Sequence, residues 1–158
     1  MKRHRNLRFA IVVGSLVTLA IVGFAAAQST PNVGSGDVVA DRQRLMKLNA
    51  ANWADAQAKF KAGNIEAISV NAETIALNAM HIPLLFPQAS LTDKSNAKLE
   101  IWQKRAEFES AAKNLQARAE KLRDTAKTKD AAATEAVMRD FGGQTCAACH
   151  TAFRKPLQ

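Results

Sequence analysis

Two cysteines and a histidine near the C-terminus constrain this chain more than any other feature of its sequence. They occur in the run Cys146-Ala147-Ala148-Cys149-His150. On an α-helix, positions i, i+3 and i+4 lie on one face, so both thiols and the imidazole would face a single ligand. A Cys-x-x-Cys-His run is typical of covalent haem attachment, with the histidine as an iron ligand. The sequence therefore predicts one haem c, attached through Cys146 and Cys149 and bound at its iron by His150.

Three other uses of the two cysteines explain the run less well. A structural zinc site needs four Cys or His ligands, and besides His150 the chain has only His4 and His81. A thioredoxin-like redox pair expects a βαβ context, and no segment alternates apolar and polar residues as a strand would. A plain disulfide would suit an oxidising compartment, but it leaves His150 without a role.

The first 27 residues differ in composition from the rest of the chain. Four basic residues come first, an uncharged apolar run occupies positions 9–24, and alanines fill positions 25–27. This pattern is typical of a secretory signal peptide cut after Ala27. The alternative is an uncleaved anchor, since residues 9–27 are just long enough to span a bilayer. The Ala-x-Ala ending favours cleavage, so we expect an exported, periplasmic protein with no stable membrane anchor.

Removing residues 1–27 from the 158 would leave 131, a length suited to one domain with its own core. The removed segment holds four basic and no acidic residues, so the formal net charge would fall from +8 to +4. This mild excess, without a basic cluster interleaved with aromatic residues, does not favour nucleic acid as a partner. The polar, Gly- and Pro-containing residues 28–36 predict a flexible leader. Residues 37–158 then form a single domain.

Hydrophobic periodicity predicts four helices and no strands in that domain. The helices are expected over residues 38–61, over 65–81, from after 93 to about 127, and from about 130 to about 155. Asp37 is the expected N-cap of the first helix, and Gly142-Gly143 predicts an interruption in the fourth. Short connections between helices favour an all-α fold, an antiparallel up-down four-helix bundle with covalently bound haem.

The chain described so far resembles the class II cytochromes c, the family of cytochrome c′ and its low-spin relatives. The resemblance covers residues 37–155 and depends most on the Cys-x-x-Cys-His run lying within ten residues of the C-terminus, followed by Ala-Phe-Arg-Lys. Two shorter stretches also resemble the family: Glu100-Ile101-Trp102 and Pro83-Leu84-Leu85-Phe86-Pro87.

The resemblance implies roles for residues of the first helix. Family members carry an Arg there beside a haem propionate, and the residue one turn later covers the distal side of the iron. An apolar residue at that place leaves the iron five-coordinate, whereas a Met, as in the low-spin relatives, is a sixth ligand. Met46 is therefore the expected second iron ligand, with Arg42 and Gln43 along the haem edge. If the register differs by one residue, Leu45 covers the iron instead and the site stays open.

Two functions from different classes follow from this ligand set. A His150–Met46 iron favours an electron carrier serving redox partner proteins, because a saturated iron keeps its ligands in both oxidation states. An open iron in an apolar pocket, to which Leu45 and Leu48 would contribute, favours a module that binds nitric oxide or carbon monoxide. No acid–base or nucleophilic arrangement is recognisable, so we expect no enzyme activity. The resemblance also implies a homodimer packed through the first two helices.

Four further residues are assigned from their surroundings in the sequence. Trp102 and Phe153 are expected in the core, touching the porphyrin, since aromatic side chains dominate buried packing. Met80 is expected in the core, and His81, at a helix end, at the surface.

Overall fold

A computed structural model of the chain describes residues 35–156. The predicted signal peptide, residues 1–27, and most of the predicted leader, residues 28–36, lie outside the described residues. The described part contains helices and one isolated bridge, with no strand. Its elements are α1 (Val38–Lys61), α2 (Ile68–His81), a 3₁₀ helix (Pro83–Leu85), α3 (Glu100–Gln103), α4 (Arg105–Lys127), α5 (Ala131–Phe141), a π-helix (Gly142–Ala147) and α6 (Ala148–Phe153).

Helix α1 has the bounds that the sequence predicts. The carboxylate of Asp37 accepts hydrogen bonds from the backbone N–H groups of Val39 at 3.0 Å and Ala40 at 3.1 Å. These bonds satisfy two of the donors left free at a helix N-terminus. The helix ends before Gly63, whose φ of +77° is a left-handed conformation that glycine adopts without steric cost. The predicted N-cap is therefore confirmed.

Two clusters of buried apolar side chains form the core, and α2, which packs against both α1 and α4, contributes to each. The first cluster consists of Ala56, Ile65, Ile68, Ala72, Ile75, Ala76, Ala119, Leu122, Ala126 and Phe141. The second consists of Ala79, Ile82, Leu85, Phe86, Ala97, Ile101, Phe108, Ala112 and Phe153. The many alanines let the helices approach closely. The all-α four-helix bundle is thereby confirmed, with α3 and α4 as its third helix and α5 to α6 as its fourth.

The third helix is broken where the sequence predicts a continuous one. Lys104 lies between α3 and α4 with φ −117° and ψ 49°, outside the helical region. Next to the break, Trp102 Nε1 donates to the carbonyl of Pro87 at 2.8 Å, and Arg105 donates to the carbonyls of Pro83 and Phe86. These bonds join the chain on both sides of the break to the preceding loop, and periodicity alone gives no sign of them.

The fourth helix continues through Gly142-Gly143 instead of being interrupted there. Residues Gly142–Ala147 form a π-helix, a wider turn that occurs often at functional sites. Helix α6 ends at Phe153, two residues earlier than expected, because Arg154 pairs with Ala97 in an antiparallel bridge. The amide of Lys98 donates to the carbonyl of Phe153 at 3.0 Å, so the bridge holds the end of α6 against the loop before α3.

Several large apolar side chains lie on the outer surface of α2 and its neighbours. Met80 is 54% exposed, so the expectation that it belongs to the core is wrong, whereas His81 is exposed as expected. We call the following set the α1/α2 apolar face: Leu48, Val70, Leu77, Met80 and Leu84. Among residues 35–156, no helix combines the length and the apolar character needed to cross a membrane.

Candidate haem site

A cavity of about 640 Å³ lies between α1 and the C-terminal helices. Residues of α1, of α4 and of the π-helix and α6 line it, together with residues around Phe86 and Ala97. Helix α1 packs against α2 and the 3₁₀ helix. Residues on one face of α1 border the cavity. Cofactor sites in proteins typically enclose about 300–1,000 Å³ and are mostly apolar. The cavity therefore has room for a cofactor.

The structure brings Cys146, Cys149 and His150 together on the wall of this cavity. All three side chains are half-buried, and no disulfide joins the two cysteines. Burial raises the pKa of the Cys149 thiol, and the neighbouring Cys146 adds to that shift. Burial also lowers the pKa of His150, and the charge of Arg154 acts in the same direction. Both effects favour the neutral imidazole, which is the form that binds a metal ion.

The segment that carries these residues is fixed at both ends. On the N-terminal side, the hydroxyl of the buried Thr145 donates to the carbonyl of Phe141 at 2.5 Å, across the π-helical turn. In the same turn, Asn114 Nδ2 of α4 donates to the carbonyl of Gln144 at 2.9 Å. On the C-terminal side, the bridge between Ala97 and Arg154 holds the chain directly after α6. These contacts fix the backbone that carries the imidazole and both thiols.

Helix α1 forms the facing part of the wall through residues spaced three and four apart. Arg42, Met46, Asn49 and Trp53 all line the cavity, as one face of an α-helix does. Leu45 does not line it. Its side chain packs against the second core cluster. In the register of α1, Met46 therefore borders the cavity at the place that the resemblance assigns to the distal residue.

Leu48 does not belong to this pocket either. It is 48% exposed on the outer side of α1, so the expectation that it contributes to an apolar gas pocket is wrong. Gln43 borders the cavity with an exposed side chain. Phe153 is buried and lines the cavity as expected, whereas Trp102 is only partly buried and does not line it.

Arg42 is a buried cation at the edge of the cavity, only 5% exposed. Its Nε donates to the carbonyl of Leu85 at 2.5 Å, and its Nη atoms donate to the carbonyl and hydroxyl of Ser90. The guanidinium carbon lies 4.1 Å from the centroid of the Phe86 ring, a cation–π contact. Burial lowers the pKa of Arg42.

All of the acceptors around Arg42 are neutral. Within residues 35–156 no carboxylate forms an ion pair with it. A buried charge without a counter-ion is unfavourable, and a carboxylate that approached it would form a strong, charge-assisted hydrogen bond. The edge of the cavity at Arg42 is thus suited to an anionic group on the occupant.

The other charged residues of the wall have the same sign. Lys47 and Arg154 line the cavity with Arg42, and the wall contains no Asp or Glu. Haem combines a large apolar macrocycle with two propionate carboxylates. An apolar space with a basic edge, two thiols at the attachment spacing and a neutral imidazole fits that combination. Cys146, Cys149, His150 and Arg42 could therefore hold haem c in this cavity.

Two stacked aromatic rings form part of the cavity wall. Trp53 of α1 and Phe141 of α5 line it together and are stacked on each other. The periodicity of α1 places Trp53 on its apolar face, but it contains no signal for the partner ring. The position of Asn49 in the sequence does predict that it borders the cavity. It lies three residues after Met46 and seven after Arg42, on the same helix face.

This fold and this cavity define a haem-binding four-helix-bundle protein. The family described as Cytochrome C' matches residues 37–154, so the chain belongs to the cytochrome c′ family. The resemblance to the class II cytochromes c is thereby confirmed at the level of the family, whose members bind haem c.

Solved structures of cytochromes c′ are similar to the chain. That of Thermochromatium tepidum is 24% identical with a TM-score of 0.69, covering 76% of this chain and 95% of that one. A nitric oxide complex of a cytochrome c prime mutant from Alcaligenes xylosoxidans is 26% identical with a TM-score of 0.68, covering 77% and 95%. A cytochrome c′ with ligand-controlled dimer dissociation is 22% identical with a TM-score of 0.69, covering 78% and 99%. No curated protein sequence matches the chain.

Proposed function

We propose that this chain is a periplasmic haem c protein that binds nitric oxide or carbon monoxide at its iron. Cys146 and Cys149 carry one haem through thioether bonds, and His150 is the proximal ligand. The predicted signal peptide, residues 1–27, exports the chain. We infer no enzymatic turnover, because none of the residues that line the cavity forms a recognisable acid–base pair over the iron.

One observation carries the gas-binding proposal. Met46 of α1 and His150 of α6 line the same large apolar cavity. No histidine, carboxylate or thiolate of α1 borders it. The polarity of the distal pocket and steric access to it decide whether a haem iron binds a diatomic gas. The solved relative with nitric oxide bound supports the same function. In this function the side chain of Met46 lies over the distal face of the haem and moves aside when the gas binds.

A second function is favoured by a single residue. Met46 carries the one thioether that lines the cavity, and Met/His ligation is typical of electron-transferring cytochromes. If its sulfur binds the iron, the haem is six-coordinate and the protein exchanges electrons with redox partner proteins. Gas binding is then weak, because the gas must displace the sulfur.

Optical spectra of the holoprotein distinguish these two functions. Oxidised and reduced spectra are recorded before and after addition of carbon monoxide, for the wild type, for Met46→Leu and for Gln43→Leu as a control. For gas binding we expect a high-spin wild-type spectrum that shifts with carbon monoxide and changes little in Met46→Leu. A low-spin wild type with an iron–methionine charge-transfer band, lost only in Met46→Leu, would establish electron transfer instead.

We further propose that the α1/α2 apolar face forms a homodimer interface. The amide of Asn78 donates to Asn49 Oδ1 at 2.8 Å, which places Leu48 and Leu77 at the same level of the two helices. Val70, Leu77 and Leu84 recur every seven residues along α2 and the 3₁₀ helix, and each is at least half exposed. A cluster of exposed large apolar side chains rimmed by polar residues typically marks a protein contact. The dimer in one solved relative supports this proposal.

A further inference from the structure

Two short segments pair with each other at the edge of the cavity. The amide of Lys98 donates to the carbonyl of Phe153 at 3.0 Å, and the amide of Lys155 donates to the carbonyl of Asn96 at 2.8 Å. Asn96, Phe153 and Arg154 of these segments line the cavity. The pairing therefore places both lysines within one residue of the cavity wall.

Basic side chains are concentrated at this edge. Residues 94–98 and 153–155 contain four of them and no acidic residue, and a fifth, on α1, also lines the cavity. We call the following set the basic rim: Lys47, Lys94, Lys98, Arg154 and Lys155. Within residues 35–156, none of the five forms an ion pair. Asp93 and Glu100 flank residues 94–98, and the rim stays positive against these two carboxylates.

Much of this charge lies outside the cavity. Of the basic rim, Lys94, Lys98 and Lys155 do not line it, and the first and last of these are exposed. The propionates of a haem, which Arg42 suits at the cavity wall, therefore do not account for these three lysines. A group of unpaired cations open to solvent attracts a partner of the opposite charge and steers its approach.

The basic rim also lies close to the expected iron ligand. The Nζ of Lys98 donates to the carbonyl of Thr151 at 2.9 Å, and Thr151 directly follows His150. Beside Lys98 in the chain, Leu99 is 51% exposed and offers an apolar contact. Protein interfaces combine apolar contacts with a polar and charged surround, and electron-transfer contacts are among the smallest. These features suit a transient protein contact near the iron.

The chemistry of the proposed function requires a contact of this kind. Carbon monoxide binds ferrous iron, so a haem that binds it must first be reduced. The periplasm is kept oxidising, and an exported haem therefore depends on a donor that supplies one electron at a time. An electron-transferring haem needs the same contact in order to exchange its electron.

We propose that the basic rim docks an electron-carrier protein with an acidic surface, which reduces the haem. The donor loses one electron and ferric iron becomes ferrous, so the electrons balance and no atom is transferred. The inference rests on the haem of the proposed function, and it applies whether that haem binds gas or carries electrons. Attraction between the two surfaces should make the association fast at low salt and slow at high salt.

The test follows reduction of the full ferric holoprotein by flavodoxin hydroquinone, an acidic protein electron donor, in a stopped-flow spectrometer. We expect the wild-type rate to fall about tenfold or more between about 10 mM and about 1 M salt, as the Debye length falls from about 30 Å to about 3 Å. A double variant, Lys94→Glu with Lys155→Glu, should be slowed by a similar factor at low salt. At high salt it should match the wild type.

The matched control changes the net charge equally at a different place. Lys121→Glu with Lys127→Glu also replaces two exposed lysines, on the part of α4 that does not line the cavity. This variant should keep most of the wild-type rate. Lys94→Gln with Lys155→Gln removes the same two charges from the rim without adding carboxylates, and it should give a smaller loss than the glutamates. The salt dependence of the wild type needs no substitution, so the test does not depend on the folding of a variant.

Three results would contradict the inference. A wild-type rate that does not depend on salt, or equal slowing by both glutamate pairs, would show that the basic rim docks no acidic donor, and the haem function would stand. Sedimentation with phosphatidylglycerol vesicles, lost only in Lys94→Glu with Lys155→Glu and without salt-dependent reduction, would identify a membrane contact instead. A purified protein without a haem spectrum would overturn the proposed function itself.

Discussion

Trp53 of α1 stacks on Phe141 of α5 with their ring centroids 4.7 Å apart and their planes 23° from parallel. Gly142 adjoins this pair, since a Cβ placed there would lie 3.9 Å from Trp53 Nε1. The stack joins the first helix to the helix that leads into the Cys-x-x-Cys-His run. Both rings also line the cavity.

Truncation of this aromatic pair should be costly. Phe141 is only 1% exposed, so we expect Phe141→Ala to lower the free energy of unfolding by about 3–5 kcal/mol. Trp53→Ala should cost less because Trp53 is only half-buried, and Trp53→Phe should cost least because a ring remains. Urea unfolding of the holoproteins, followed by circular dichroism, measures these differences. Equal losses in both Trp53 variants would mean that stacking contributes nothing.

Loss of the thiols should change how the haem is held. We expect the wild type to keep its haem through denaturing electrophoresis, whereas a double variant, Cys146→Ser with Cys149→Ser, should lose it. Each single variant should keep one thioether and shift the pyridine haemochrome band, because one vinyl group stays unreacted. Retention of haem by the double variant on a haem-stained gel would contradict covalent attachment at these residues.

Replacement of Arg42 tests the buried cation at the cavity edge. Arg42→Lys keeps the charge but loses the planar fork that reaches Leu85 and Ser90 together. Hydrogen bonds to charged groups contribute about 1.5–3 kcal/mol each, so we expect a loss of about 2 kcal/mol or more in the free energy of unfolding. Arg44→Lys, at an arginine that is 61% exposed, is the control and should be near neutral. Chemical denaturation of the three proteins gives the comparison.

Acid should destabilise the protein in part through Asp41. Burial raises the pKa of this carboxyl, but hydrogen bonds from Ser35 and Arg44 outweigh it and hold the pKa below its usual value of 3.8. A lowered folded-state pKa stabilises the protein above the unfolded-state pKa, and that stability is lost as pH falls through the folded-state pKa. The free energy of unfolding of Asp41→Asn should therefore depend less on pH below about 4.

A partial variant for this acid effect is Ser35→Ala, which removes the hydroxyl, one of three donors to Asp41, and keeps the Ser35 backbone N–H and Arg44, so it should give part of the change. Denaturant titrations at a series of pH values would measure it. The same acid slope in Asp41→Asn and in the wild type would show that this carboxyl contributes nothing to acid sensitivity.

A charge on the α1/α2 apolar face should separate the proposed dimer. We expect Leu77→Glu to shift the protein from dimer to monomer in sedimentation velocity, because a carboxylate would be buried without a partner. Leu99→Glu is the matched control, since Leu99 is also about half exposed, at 51%, but lies outside this face. A monomeric wild type, or dissociation by both substitutions alike, would contradict the proposed interface.

Local features made much of the fold predictable. The bounds of α1 followed from its apolar repeat and from Asp37, and the final helix from its periodicity and the Cys-x-x-Cys-His run. The helical break at Lys104 could not be predicted, because it depends on hydrogen bonds from Trp102 and Arg105 to the preceding loop. These bonds form only when folding brings the loop and the helix together. Local sequence does not encode such tertiary contacts.

In the candidate site too, features that depend on local sequence were predictable and features that depend on tertiary contacts were not. Helical spacing alone predicted that both thiols and His150 share one face, and the resemblance supplied Met46 in the register that borders the cavity. The exposure of Leu48 and Met80 could not be read from hydrophobicity, since an apolar residue on a surface face has the same identity as one in the core. The absence of a hydrogen-bond partner for Asn49 Nδ2 could not be predicted from the sequence, because the orientation of this amide depends on Asn78 of the neighbouring helix.

The cavity wall joins Arg42 near the start of the domain to Arg154 near its end. Closing this space is thus among the longest-range events in folding, and long-range contacts slow folding because the intervening chain must first be ordered. An occupant anchored on the last helix would shorten the search, since it offers α1 a surface on which to dock. The group that fills the cavity would then act as a template for the bundle.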